Sequence, residues 1–352
     1  MVVRLPKLQQ GFILAAVLWT LAIMLIAVGI FHSYVQRKLS VGIQAKAHIQ
    51  QQLDNYSTEQ TLLYLLASSR FTLAGMTFSQ LTMSQSQDEN FSFNSAVGDE
   101  LWMDGTVYQG LGDVQFSVQD NGGLIPINAP DPSVISHLLD RFEQDLGTKT
   151  RLISALQDYE DADDLLNLSG AEKLDYEAKN MLPPTNDFLR TPSELTRVMG
   201  WREWLAQHSE FDVANWLSSG RFGILNLNTM PKSLLMKYLG LPEQLAEQLI
   251  VERKTNPFRS VEDFVLRTNL ILTLDEDRHR FLPGNELRLK IWNKGGGQAR
   301  LISLQLTPNG LLGPWQVDYE YSVQSVENNN EALAIRQSTL FNSALGDGIR
   351  EH

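Results

Sequence analysis

The stretch Phe12 to Phe31, FILAAVLWTLAIMLIAVGIF, contains no charge, no proline and a single glycine. At about 1.5 Å of rise per residue it makes roughly 30 Å of helix, the thickness of a bilayer's hydrocarbon core. Backbone amides in lipid have no water to bond, so this run must be helical. The head before it, MVVRLPKLQQG, carries Arg4 and Lys7 and no acid. By the positive-inside tendency that head stays cytoplasmic and everything after Phe31 lies outside.

Three readings compete for this N-terminus. A cleaved signal peptide has a shorter apolar core ending in small residues, whereas this run is long and is followed by His32, Ser33 and Tyr34. A plain signal anchor is the second. In the third, the head ends at Gly11 and Phe12 follows directly. That junction resembles the cleavage site of pilins and pseudopilins, where a membrane peptidase cuts after glycine and methylates the new N-terminal phenylalanine. The remaining sequence is rich enough in apolar residues, 43% of the chain, for a sizeable folded region, read as two sub-domains. A net charge of −12 argues against a general nucleic-acid binder. The absence of cysteine excludes disulfides and thiolate chemistry.

Beyond His32, Leu39, Ile43, Ile49, Leu53, Tyr56, Leu63 and Leu66 recur at helical spacings. This predicts one helix from about Phe12 to about Leu73, roughly 90 Å long, whose second part packs on a globular head. Two helices bent near Gly42 remain the alternative. Residues 80–95 read as a loop. Strands are expected over Thr106–Leu111 and Asp113–Gln119, with a turn at DNGG, 120–123. Ile127-Asn128-Ala129-Pro130 and Leu227-Asn228-Thr229-Met230-Pro231 open two similar segments, each an extended stretch leading into an apolar helix. Between them, Thr191-Pro192-Ser193-Glu194 has the form of a capping box.

Asp158, Glu160, Asp161, Asp163 and Asp164 form an acidic run before NLSGAE. Oxygen-rich clusters suit calcium, but the EF-hand spacing is missing, and the residues alone favour a solvated loop. Tyr238-Leu239-Gly240-Leu241-Pro242 joins two helical patterns as in a helix-hairpin-helix unit. Pro242 offers no N–H to cradle a phosphate, and Glu243 and Glu247 follow, so a structural module is expected rather than a DNA contact. Ser260, with Asp263 three residues on, is a helix cap. Alternating residues at 287–291, 302–306 and 316–323 predict strands, and the polar tail after Val326 is expected to be mobile. The six histidines show no HExxH spacing, and neither GxSxG nor a P-loop occurs, so no enzyme and no organic cofactor are expected.

The order of these features resembles the K-class minor pseudopilins of the type II secretion system, also called general secretion pathway protein K. The residues that carry the resemblance are GFILAAVLWTLAIMLIA, DNGGLIPINAP, LISALQDYEDADD with SGAEKLDY, TPSELTRVMGW, ILNLNTMPKSLL and NPFRSVEDF. With Phe12 as the first mature residue the fifth is Ala16, where most pilins carry a glutamate that meets a neighbour's N-terminal amine. The K-class lacks it, as suits a subunit with no neighbour above.

The resemblance implies an α+β fold, a pilin-like long N-terminal helix and antiparallel sheet with a large inserted α-helical domain containing a helix-hairpin-helix-like unit. It divides the chain into a prepilin leader (1–11), a transmembrane part (12–31), its amphipathic continuation (32–75), a β region (76–123 and 285–325), the insert (124–284) and the tail (326–352). It implies a non-catalytic subunit anchored by one pass in the inner membrane, its N-terminus cytoplasmic and its globular part periplasmic. Such a subunit caps the pseudopilus with the I- and J-class minor pseudopilins and initiates its assembly for export of folded proteins. Gly11 and Phe12 are then substrate residues of the prepilin peptidase. The class can bind calcium, for which Asp158, Asp161 and Asp163 match a D-x-x-D-x-D pattern. The alternatives are a membrane-anchored DNA receptor and a minor pilin of a type IV pilus-like system.

Overall fold

A computed structural model describes residues 11–79, 94–269, 276–324, 336–337 and 341. The expected loop at 80–95 thus falls largely outside the described residues. The chain divides into two compact units, Met1–Asp54 and Asn55–His352. The first helix, α1 (Gly11–Ser68), is continuous across Gly42, which settles the question of a bend there. It ends at Ser68 rather than near Leu73, because Arg70–Thr72 (β1) and Gly75–Thr77 (β2) turn back on one another as a small hairpin.

The stripe expected to pack on the globular part divides in two. Leu39, Ile43, Ile49, Leu53 and Tyr56 are exposed, whereas Leu62, Leu63 and Leu66 are buried. Leu62, Leu63 and Leu66, in the last turns of α1, share a core with the sheet. Burial of such a side chain contributes about 1.5–3 kcal/mol. Thr58 marks where this packing begins: its Oγ1 accepts from Leu111 N, and a Cβ at Gly110 would lie 2.8 Å from its methyl group. Glu59 then pairs with Arg300 at 2.5 Å.

The sheet comprises β3 (Asp104–Gln109), β4 (Val114–Asp120), and then, far along the chain, β9 (Glu286–Asn293), β10 (Gln298–Leu306) and β11 (Trp315–Gln324). Its order is β11-β10-β9-β4-β3, antiparallel throughout, and a short β12 (Arg336–Gln337) adds to the β3 edge in parallel. The tail is therefore not wholly apart from the fold: Arg336–Gln337 joins the sheet, and Phe341 packs edge-on against Phe116.

Alternation along β4 and β9 gives the sheet two unlike faces. Val114, Phe116, Val118, Leu287, Leu289 and Ile291 form one core with Leu62, Leu63 and Leu66 of α1. The opposite residues of these strands, Gln119, Arg288 and Lys290, are polar and hold the chain segment inserted between β4 and β9.

That insert has an apolar core of its own. In chain order it contains a 3-10 turn (Asn121–Gly123), β5 (Ile125–Pro126), α2 (Ser133–Leu139), α3 (Leu146–Glu160), α4 (Lys173–Ala178), a 3-10 helix (Pro192–Arg197), α5 (Trp201–Gln207), α6 (Val213–Trp216) and β6 (Leu217–Ser218). There follow β7 (Leu225–Asn226), α7 (Lys232–Lys237), α8 (Glu243–Glu252), α9 (Val261–Thr268), a 3-10 turn (Glu276–Arg278) and β8 (His279–Arg280). Phe142, Trp204, Phe211 and Trp216 pack edge-to-face and tilted in its centre. The expected α+β class is the one found.

Candidate functional site

The two similar sequence segments prove to be two copies of one structural device. In the first, Asn128 donates through Nδ2 to the carbonyls of Leu189 and Ser219, both at 2.9 Å, and its Oδ1 accepts from Leu189 N at 3.0 Å. In the second, Asn228 donates to the carbonyls of Phe258 and Phe281, both at 2.9 Å, and accepts from Phe258 N at 2.8 Å. Each asparagine follows a short strand that pairs in parallel with a later one, β5 with β6 and β7 with β8. The segments they grip match as well. Arg190 N donates to the Glu194 carboxylate, and Arg259 N donates to the Asp263 carboxylate.

This corrects one detail of the sequence reading. Glu194 reaches back to Arg190 N rather than to Thr191, and Thr191 makes no side-chain cap because its hydroxyl lies against Ser193 Oγ. Ser260 caps α9 as expected, accepting from Asp263 N.

The second copy is seated on the sheet by buried charge. Asp120, the last residue of β4, is fully buried; its Oδ1 accepts from Gly122 N, Arg280 Nη2 and Gly284 N, and its Oδ2 from Asn226 Nδ2 and Thr229 Oγ1. Arg253 pairs with Asp104 of β3 at 3.0 Å and donates to the carbonyls of Leu227 and Met230. Burial pushes the Asp104 carboxyl up, but Arg253, Lys254 and the Thr106 hydroxyl together hold it below its ordinary value.

At the hairpin, α7 and α8 are joined through Gly240, whose φ of +73° is left-handed, and Pro242. The Lys232 ammonium is held by Glu243 and Glu247 at 2.9 and 2.6 Å. A hairpin whose cation is engaged and whose proline lacks an N–H makes a poor phosphate cradle.

The acidic run falls in the first copy. Asp158 lies in the last turn of α3 and is fully buried rather than solvated: Asn167 and Ala171 N–H groups donate to it and so close the loop that follows. Gly170 is required there, since a Cβ would overlap the Asp158 carboxylate. Asp163 is exposed and accepts from Leu165 N. Burial pushes the Asp161 carboxyl up, and Asp163, Asp158 and Asp164 push it further. Glu172, not among the expected calcium ligands, belongs with them: burial raises it, as do Asp158, Asp161 and Asp164. Asp161 Oδ1 and both Glu172 carboxylate oxygens are buried without a well-formed hydrogen bond.

Hard oxygen donors of this kind suit calcium chemically. No three acidic or histidine side chains among the described residues are gathered at ligand geometry. Gly11 and Phe12, the expected processing residues, stand at the start of α1, which from Leu14 is long and apolar enough to cross a membrane.

Residues 225–276, which run from β7 to the last 3-10 turn of the second copy, match the family model of type II secretion system protein K. The fold is similar to a chain in the crystal structure of the GspK-GspI-GspJ complex from the enterotoxigenic Escherichia coli type 2 secretion system. The TM-score is 0.50 and the identity 16%, covering 80% of this chain and 99% of that one. The family match is confined to that segment, and the likeness to the solved chain is one of fold. No curated protein matches the chain at a significant level. The segment that carries the K-class match is thus the copy bound to the sheet through Asp120 and Arg253.

Proposed function

We propose that this chain is a tip subunit of the type II secretion pseudopilus, which joins I- and J-class minor pseudopilins and initiates assembly for export of folded proteins. The observation that carries this reading is a conjunction. The K-matching segment sits in an insert between β4 and β9, and their sheet packs on the end of an apolar N-terminal helix. The exposed apolar residues of α1, from Leu14 to Tyr56, serve first as a membrane anchor and then as the face buried among filament neighbours. The head stays cytoplasmic, the globular part is periplasmic, and prepilin peptidase cuts after Gly11 and methylates Phe12. Ala16 fits a subunit with no neighbour above it.

The mature N-terminus tests this, by mass spectrometry of protein from its native membrane. N-methylated Phe12 is expected, and a bulky substitution of Gly11 leaves the longer form. An intact Met1 in the wild type removes the proposal.

Calcium belongs to the same reading. Asp161 and Glu172 would supply the inward oxygens and Asp163 an outer one, with Asp158 shaping the loop; the ion would neutralise the crowded carboxylates. The expected result at pH 7 is a melting temperature that rises by several degrees with calcium and falls on chelation, with Glu172→Gln abolishing the response. No shift in the wild type rules this out.

A further inference from the structure

The six-stranded sheet closes one of its edges and leaves the other open. At the β3 edge the register slips between Asp104 and Val107, and β12 pairs with Tyr108 and Gln109. A bulge and a covering strand are two of the devices that keep an edge from pairing with other chains. The opposite edge has no such cover: β11 pairs with β10 on one side, and no described strand lies on its other side. It carries neither proline nor lysine, and beyond a single bulge at Asp318 it runs unbroken from Tyr319 to Gln324.

The register shows which main-chain groups of β11 face outward. Leu306 N turns toward β9, donating to Asn285 O, so the odd-numbered residues of β10 face β11. Those residues meet Gln316, Tyr319, Tyr321 and Val323. The N–H and C=O groups of Val317, Glu320, Ser322 and Gln324 therefore point away from the sheet, and all four residues are exposed. Donors and acceptors that repeat about every 6.8 Å along one row are matched by another extended chain and by no compact ligand.

The two faces beside this edge differ in chemistry. On the α1 side, Glu320 shares Arg300 with Glu59 of α1, so two carboxylates stand around one guanidinium. Asp318 adds a further exposed carboxylate at the bulge. On the opposite side Tyr319 and Tyr321 stack, their ring centres 5.6 Å apart. A second copy of β11 laid along the edge would set like charges against one another, which disfavours self-pairing. We propose that the outer edge of β11 receives an extended strand of a different protein, with lysine or arginine on its α1 side and β-branched residues beside the tyrosines. Main-chain bonds to Glu320, Ser322 and Gln324 hold that strand, and the side chains select it. This edge is independent of N-terminal processing, so either reading can fail without the other.

The test uses the full chain in detergent and a fluorescent, end-capped hexapeptide, Val-Lys-Val-Lys-Val-Thr, read by anisotropy. A dissociation constant of about 0.1–1 mM is expected of so short a strand. Replacing both lysines by glutamate should weaken binding at least about tenfold. N-methylation of the residues on the lysine face, whose amides pair with β11, should abolish it.

Ser322→Pro removes an N–H that bonds nothing in the sheet, so that variant should lose binding at an unchanged melting temperature. If it fails to fold, Glu320→Gln serves, and should bring the lysine and glutamate peptides to within about threefold of each other. Equal binding of the two peptides to the wild type, binding undiminished by N-methylation or in folded Ser322→Pro, an undiminished preference in Glu320→Gln, or no binding up to about 5 mM would each overturn the proposal. A wild-type dimer that Ser322→Pro dissolves would make a second copy the occupant, and would overturn it as well.

Discussion

The two asparagine-centred copies make the same three hydrogen bonds and differ in what those bonds enclose. The second is compact: Asn228 grips Phe258 and Phe281 around the α7–α8 hairpin and α9, and buried charges tie it to the sheet. In the first, Asn128 reaches across a longer excursion to Leu189, and that excursion contains α3, the acidic loop and α4. The difference teaches how one device serves two ends. Where the chain between the gripped points is short, the copy is a rigid seat; where it is long, the same grip carries an appended loop whose carboxylates crowd one another.

The largest expected effect comes from breaking the seat. Asp120→Ala removes the acceptor of five hydrogen bonds and leaves Arg280 and Asn226 without it. Removing one partner of a buried ion pair costs about 3–5 kcal/mol, and urea melts should show a loss of that size. An effect below about 1 kcal/mol would mean that the second copy is held chiefly by its apolar contacts.

The equivalence of the copies is sharpened by Asn128→Ala and Asn228→Ala. Each leaves one backbone N–H and two carbonyls without their partner, and each should cost about 2–3 kcal/mol. If the Asn128 variant is much the milder, the first copy relaxes around its grip and the likeness is one of geometry alone.

The smallest effect concerns the loop. Burial raises Glu160 at the end of α3 to about 8. Below about pH 4.5 the group is protonated in both the folded and unfolded chain. Between about 4.5 and 8 the unfolded chain has released its proton while the folded one keeps it, so stability falls as pH rises, and levels off above 8. Glu160→Gln should therefore leave stability unchanged at pH 4 and make the variant progressively the more stable of the two as pH rises toward 8.5. Parallel pH–stability curves for wild type and variant would show that Glu160 is solvated.

Much of the architecture was legible because it is periodic. The apolar run of α1, the alternation in β4, β9 and β10, and the Ser260 cap each leave a local pattern. The similarity around Asn128 and Asn228 was also visible, but its meaning was not, because every partner of these side chains lies far along the chain. Glu172 was not among the expected calcium ligands for a related reason: it stands apart from the acidic run, and only the turn closed by Asp158 brings it back. Arg336 and Gln337 of β12 are two polar residues, too short a run to show alternation, and they pair with the open edge of β3. For the stripe of α1 the helical pattern was right: Leu63 and Leu66 pack on the sheet and Leu39 to Tyr56 are exposed, since amphipathicity marks a face without saying which molecule covers it.

The register of β4 against β9, in which Asp120 stands opposite Leu287, has a consequence for the order of events during folding. These central strands are neighbours in space but are separated in sequence by the whole insert. Closing so long a loop from a disordered chain is entropically costly and slow. The insert has an apolar core of its own, and its two ends emerge side by side where β4 pairs with β9. Once formed, it delivers β9 to β4 already aligned, so the sheet completes itself last, with the late-synthesised β12 closing the far edge.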